Sequence, residues 1–198
     1  TWRKDKIEKQ INIILTKENI HLVYCAQSKK KLHRGNVLDK LLDFWLMPNT
    51  STIMVTKEAF WKAKGFDEAL DACQDHDFWI SFSKAGFCVD YVDEDLVNFT
   101  NDAINRISYN YEPRIKAVKL FLIKWKNVIV FYKGEKYYKD FHKKYINRVL
   151  SQVILQKLKM RSYTKLLQIY LKHLTYNIYF YINIFKFLKK KFHLFITK

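Results

Sequence analysis

The residues best suited to chemistry lie in one short stretch, Gln74-Asp75-His76-Asp77-Phe78-Trp79, in which two carboxylates stand two positions apart. A carboxylate held near a hydroxyl group can take its proton while the oxygen attacks an electrophile, which is general-base catalysis. Asp75 is the candidate for this base, although its position alone favours a role in capping a helix. We also expect Asp75 to cap the helix that follows it, where the helix N-terminus favours negative charge. A capping role without catalysis is the alternative.

The neighbours of Asp75 have structural alternatives to a role in a site. We expect Asp77 to bond backbone amides in the first helical turn. His76 is expected to be exposed, with phosphate contact as the alternative. Trp79 is expected in the core, although an aromatic ring near a sugar site can stack on the sugar. Gln74 is an active-site candidate through its position alone.

A turn, Gly65-Phe66-Asp67-Glu68, precedes this stretch, and a lone arginine, Arg106, follows it. We expect Asp67 and Glu68 to shape the turn, with contact to a bound acceptor as the alternative. Arg106 either faces a diphosphate, because guanidinium pairs well with phosphate oxygens, or lies on the surface. The histidines are scattered and form no metal-ligand spacing, so the sequence predicts no metal site in this chain.

Hydrophobic periodicity predicts the elements that must position these residues. Helices are predicted at 4–18, 37–46, 57–64 and 75–85, and strands at 21–25, 50–55 and 88–92. Gly65 and Gly86 are predicted to end the two later helices. The alternation of helices and strands predicts an α/β layer. We expect the first helix from the spacing of Ile7, Ile11, Ile14 and Leu15.

A change in charge divides the chain. Residues 1–105 hold 14 basic and 16 acidic side chains, whereas residues 106–198 hold 22 basic and 3 acidic side chains. The second part is predicted to be a basic helical extension with helices at 114–132, 136–160 and 163–190, the first two separated at Gly134. A strongly basic surface indicates an anionic partner.

The end of this extension, residues 163–195, combines many aromatic side chains with clustered lysines. Polar residues interrupt it too often for a membrane-spanning helix. We expect either an interfacial helix on an anionic membrane surface or a helical appendage that packs on its own core. We predict no nucleic-acid partner, because no recognised motif accompanies the charge.

Several fragments, in order, resemble family 2 glycosyltransferases, which are inverting enzymes with the Rossmann-like GT-A fold. Trp2, Lys6 and Gln10 fit a W-x-x-x-K-x-x-x-Q pattern. The resemblance continues with the segment 50–55, the G-F-D-E turn at 65–68, and 74–79, which is similar to E-D-x-D-L-W. It ends with 105–108 and 114–116. The resemblance covers roughly residues 1–125 and implies a partial GT-A-like domain over 1–105.

The resemblance implies transfer of a sugar, with inversion, from a nucleotide-sugar donor to a glycan or lipid-linked acceptor. Because Asp75 lies between motifs similar to those of the family, we predict that it is the general base. Bacterial surface polysaccharide or lipooligosaccharide synthesis at the cytoplasmic face of the membrane would suit the basic extension. In that family an Asp-x-Asp segment directly before the W-x-x-x-K-x-x-x-Q pattern holds the nucleotide diphosphate and a divalent cation, Mn or Mg. Since the sequence begins at this pattern, we expect the chain alone to bind nucleotide-sugar weakly or not at all. The alternative is a non-catalytic remnant that binds a membrane or a partner.

The three cysteines, Cys25, Cys73 and Cys88, are odd in number and have no metal-ligand spacing. They indicate reduced thiols of a cytoplasmic protein. We therefore expect a cytoplasmic location, with peripheral attachment to the inner face of the membrane as a further expectation from the basic extension.

Overall fold

The chain divides into two compact units, Thr1–Ile104 and Asn105–Lys198. The structure, a computed structural model, describes residues 1–27, 31–45, 47–99 and 111–159, together with Thr164, Gln168 and Ile169. The first unit mixes helices with a small sheet, so its class is α/β. The described part of the second unit is helical.

The sheet of the first unit has three strands among the described residues, β1 (Ile20–Ala26), β2 (Ile53–Val55) and β3 (Cys88–Asp95), in the order β2-β1-β3. β2 lies antiparallel to β1, with Leu22 opposite Val55, and β3 lies parallel to β1, with Leu22 opposite Val89. Leu22, Val23, Tyr24 and Cys25 of the central strand are fully buried. This burial explains the continuous apolar run by which the strand was predicted.

The described residues of the first unit form four α-helices: α1 (Lys6–Thr16), α2 (Leu38–Leu42), α3 (Lys57–Lys62) and α4 (Gln74–Lys84). They confirm the predicted helices to within a few residues at their ends. The segment Thr50–Thr52, predicted as strand, is instead a 3₁₀ helix, because the N–H and the hydroxyl of Thr52 both donate to the carbonyl of Asn49.

Gly65 ends the turn after α3 in a conformation that suits glycine. Its φ is +59°, and a Cβ atom added there would lie 3.0 Å from the ring of Phe60. A side chain at this position would therefore meet both backbone strain and a ring already in place. The glycine lets the chain pass close beneath Phe60 before it turns towards α4.

The buried face of α1 differs from the apolar pattern that predicted the helix. Ile7, Ile11 and Leu15 are exposed, Leu15 by 76%, while Lys6 and Gln10 are 1% and 0% exposed. The polar pair can be buried because each member has hydrogen-bond partners inside the unit. Of the four apolar positions that predicted the helix, only Ile14 packs against the core, so the expected period was right but the buried face is turned towards Lys6 and Gln10.

Asp90 of β3 anchors two surface cations. Its side chain is 3% exposed and accepts hydrogen bonds of 2.6 Å from the Lys17 ammonium and the Arg34 guanidinium. Burial alone would raise the pKa of the Asp90 carboxyl, but the bonds from Lys17 and the Tyr91 N–H, with the charge of Arg34, lower the pKa below its ordinary value of 3.8.

We expect Asp90→Asn to lower the free energy of unfolding by about 1–3 kcal/mol at neutral pH, since hydrogen bonds to charged groups contribute that much. A carboxyl with a depressed folded pKa stabilises the fold above its unfolded pKa, and this contribution is lost as pH falls through the folded value. In urea unfolding curves the difference should therefore shrink as the pH falls below the ordinary aspartate pKa of 3.8. Asp93→Asn, an exposed site on the same strand, is the control. A difference that persisted unchanged at low pH would contradict the ion-pair account.

The second unit contains a helical hairpin formed by α5 (Tyr111–Lys133) and α6 (Glu135–Lys159). Gly134 joins the two helices with a φ of +88°. The ring centroids of Phe121 and Tyr145 lie 5.2 Å apart across the hairpin, and Arg114 donates to Gln152. The third predicted helix, 163–190, lies outside the described residues except for Thr164, Gln168 and Ile169. Within the part described, no helix is both long and apolar enough to cross a membrane.

Candidate functional site

The first turn of α4 differs from the prediction in one respect: Asp75 is not the N-cap. Cys73 holds that position with a left-handed backbone, φ +69°, and its carbonyl accepts the N–H of Asp77 at 2.9 Å. Asp75 is the second residue of the helix. Its Oδ1 accepts the N–H of His76 at 2.8 Å, so the carboxylate still bonds a backbone amide at the start of the helix.

The two carboxylates of this turn have different environments. Asp75 is partly exposed, whereas Asp77 is 1% exposed. His76 is 4% exposed, so the prediction of an exposed histidine is wrong. Gln74 is half-buried. Asp75 is therefore the carboxylate of this turn that a bound acceptor can reach, and Asp77 belongs to the interior of the unit.

Contacts between phenylalanine rings bring the turn 65–68 against α4. The ring of Phe66 lies 5.5 Å from that of Phe60 and 5.3 Å from that of Phe78. Asp67 shapes the turn, as its Oδ1 accepts the N–H of Ala69 at 3.0 Å. Glu68 is exposed. The two motifs that the sequence singled out are thus neighbours in the fold.

Trp79 lies in the core, which is the position that we expected from the sequence. It is 1% exposed, and its ring centroid lies 5.8 Å from Tyr24 and 5.6 Å from Trp45. A buried indole offers no free face on which a sugar can stack. Trp45, which is half-buried, is the more accessible aromatic member of this cluster.

The chain direction places Asp75 at a particular edge of the sheet. A connection of three residues joins α4 to β3, so α4 runs back along the strand that it precedes. Trp79 is level with Tyr24 in the middle of β1, and Asp75 lies one turn earlier in the helix. The first turn of α4 is therefore directed towards the carboxyl ends of β1 and β3. Open α/β sheets bind ligands at that edge.

The W-x-x-x-K-x-x-x-Q pattern forms one connected network. The Lys6 ammonium lies 4.2 Å from the centroid of the Trp2 ring and donates to Gln10 at 2.6 Å. The Gln10 amide donates to the carbonyls of Val23 and Thr52, each at 2.8 Å. Gln10 thereby ties α1 to β1 and to the 3₁₀ helix that precedes β2. Removing its side chain would leave several buried polar groups without a partner.

Sequence reasoning missed the burial of this network. Burial lowers the pKa of Lys6, although the neighbouring Cys25 thiol acts in the opposite direction. Burial also raises the pKa of Cys25 itself. The signal that could have revealed the network is the i, i+4 spacing of Lys6 and Gln10, since side chains at that spacing meet on a helix.

The chain starts at the same edge of the sheet as Asp75. Trp2 forms an isolated antiparallel bridge with Val97, and the N–H of Arg3 donates to the carbonyl of Leu96 at 3.0 Å. These partners directly follow β3. The segment before α1 is therefore held just past the carboxyl end of that strand.

One of the predicted site residues cannot be placed. Arg106 lies outside the described residues. In the described ranges, no three His, Cys, Asp or Glu side chains come together in a way that could hold a metal ion. Comparison with protein-family models, with curated proteins and with solved structures gave no match. A functional assignment therefore depends on the first turn of α4 and on the resemblance of the sequence.

Proposed function

We propose that this chain is the acceptor side of a GT-A-like glycosyltransferase resembling family 2, which transfers a sugar with inversion from a nucleotide-sugar to a glycan or lipid-linked acceptor. The observation that carries the proposal is the partly exposed carboxylate of Asp75, in the first turn of α4 at the carboxyl edge of the sheet. The turn 65–68, packed on the same helix through Phe66 and Phe78, supports it.

In this mechanism Asp75 acts as general base. Its carboxylate takes the proton of an acceptor hydroxyl as that oxygen forms a bond to the anomeric carbon of the donor. The bond from the anomeric carbon to the phosphate oxygen breaks on the opposite side, and the nucleotide leaves with the bonding electrons. Attack opposite to the leaving group inverts the anomeric configuration. Asp77, which is buried, takes no part in this step.

The position of the chain start agrees with this assignment. In the family, the segment that holds the nucleotide diphosphate directly precedes the W-x-x-x-K-x-x-x-Q pattern. Here that pattern begins beside the residues after β3, at the same edge as Asp75. A donor held just before Trp2 would therefore lie on the same side of the sheet as the proposed base.

The divalent cation that the family uses does not fit the described residues, which bring together no metal-binding group of side chains. We therefore derive no step through a metal. The residues of this chain supply the base and the scaffold around it. The proposed setting is the cytoplasm, at the inner face of the membrane where lipid-linked acceptors are made into surface polysaccharide.

The test is a transfer assay with UDP-, GDP- and CMP-sugars, bacterial lipid and glycan acceptors, and Mn²⁺ or Mg²⁺. We expect the chain alone to show little or no activity. When a donor-binding segment precedes Trp2, we expect acceptor-dependent release of nucleotide and a product whose anomeric configuration, measured by NMR, is opposite to that of the donor. A product with retained configuration would contradict the proposed mechanism. If the chain, alone and extended by the coding sequence upstream of Thr1, transferred no sugar, the alternative of a non-catalytic membrane- or partner-binding module would replace it.

A further inference from the structure

Helix α5 presents large apolar side chains on the side opposite to α6. Leu120 is 40% exposed, Ile123 70% and Phe131 82%. Their separations of three and eight residues bring them to one side of the helix. The inner side of α5 is apolar as well and packs on α6 through residues such as Phe121. Helix α5 is therefore apolar on both sides, and only one side is used within the hairpin.

Lysines border this outward face. Lys116, Lys119 and Lys124 are exposed near the three apolar side chains. Glu112, in the first turn, is the single acidic residue of α5. The face therefore combines an apolar centre with a cationic border, in a part of the chain that is strongly basic throughout.

The composition of the face decides which partner it fits. Three side chains are too few for a stable protein interface, which buries about 800 Å² on each partner. A second copy of the chain would also bring two basic units together. A nucleic acid would gain little from Leu120 and Ile123, which offer neither donors nor stacking rings, so that only Phe131 could stack on a base. An anionic bilayer accepts apolar side chains at the boundary of the headgroups and attracts lysines to its phosphates.

We propose that the outward face of α5 is a membrane-docking surface, on which Leu120, Ile123 and Phe131 enter the headgroup region of an anionic bilayer. Lys116, Lys119 and Lys124 contact the lipid phosphates. The helix lies in the plane of the interface. This surface involves other residues than 163–195, for which the sequence left membrane contact and packing on its own core as alternatives, and it does not depend on the proposed transferase activity.

The test is sedimentation of the full chain with vesicles of phosphatidylglycerol and phosphatidylcholine at low salt. The double variant Ile123→Ser/Phe131→Ser should lower the partition coefficient at least about tenfold, because burial of one large apolar side chain already accounts for that factor. Lys116→Gln/Lys119→Gln should lower it by a similar factor, since each lysine near an anionic surface contributes about fivefold. Added salt should release the wild-type chain.

Leu15→Ser provides the matched control, because Leu15 is equally exposed but lies on α1 in the near-neutral first unit. It should leave partitioning unchanged. Helix content measured by circular dichroism should be equal in all variants, since the substituted side chains are exposed. The proposal is overturned if the double variant partitions like the wild type, or if neutral vesicles bind the chain equally well. Binding to a DNA duplex that the double variant loses would assign the face to nucleic acid instead.

Discussion

Asp75→Asn is expected to lower the turnover of sugar transfer by about 10²–10⁴-fold, which is the usual effect of removing a general base. The amide has nearly the same shape, and its oxygen can still accept the N–H of His76. The fold should therefore survive. The measurement is the initial rate of nucleotide release at saturating donor and acceptor, in the form of the protein that is active in the transfer assay.

Asp71→Asn is the charge-matched control for this substitution. Asp71 is exposed and lies before α4. Its substitution therefore removes the same negative charge close to Asp75 without changing a residue of the helix. It should retain activity within about twofold of the wild type. If Asp75→Asn also kept near-normal turnover, Asp75 would have only its structural role at the start of the helix, and the proposed mechanism would be rejected.

Trp79→Ala is expected to destabilise the first unit by about 3–5 kcal/mol, because truncating a buried tryptophan leaves a cavity that the surroundings only partly fill. Its ring joins α4 to Tyr24 of β1 and to Trp45. Labelling of the fully buried Cys25 thiol, followed by peptide mass spectrometry, reports the opening of this unit. The labelling rate should rise by roughly 10²–10⁴-fold, since each 1.4 kcal/mol changes the equilibrium about tenfold.

Trp61→Ala is the matched control, because Trp61 is 65% exposed on α3. Its effect on Cys25 labelling should stay within about twofold, which is typical of surface substitutions. Equal effects of the two substitutions would mean that Trp79 does not hold α4 to the sheet. The half-buried Cys73 and Cys88 should label earlier than Cys25 in every variant.

The order of helices and strands could be predicted because apolar periodicity and glycine positions are local features. β1 and α4 were found within a residue or two of their observed bounds. The face of α1 could not be predicted, because its burial depends on hydrogen bonds from Gln10 to carbonyls of residues distant in the sequence, Val23 and Thr52. A scale that assigns Lys and Gln to the surface by residue type takes no account of hydrogen-bond partners so distant in the sequence.

The candidate site was predictable in part for similar reasons. The sequence indicated the turn 65–68 and the stretch 74–79, and the structure brings them into contact through Phe66 and Phe78. The sequence pattern assigned the cap of α4 to Asp75, two residues too late. The cap is Cys73, whose left-handed backbone is a conformation that is uncommon for residues other than glycine. The burial of His76 follows from how the whole helix packs on the sheet, which no local pattern encodes.

The pairing of the strands has a consequence for the order in which the two units acquire structure. β1 must find β3 across a long stretch of chain, with Leu22 opposite Val89, and such distant parallel pairing is slow because the intervening loop must close first. The hairpin of α5 and α6 needs only a one-residue connection at Gly134. Helical hairpins with local contacts fold in microseconds to milliseconds. The hairpin of α5 and α6, although synthesised after the first unit, is therefore expected to fold faster than the unit that carries Asp75.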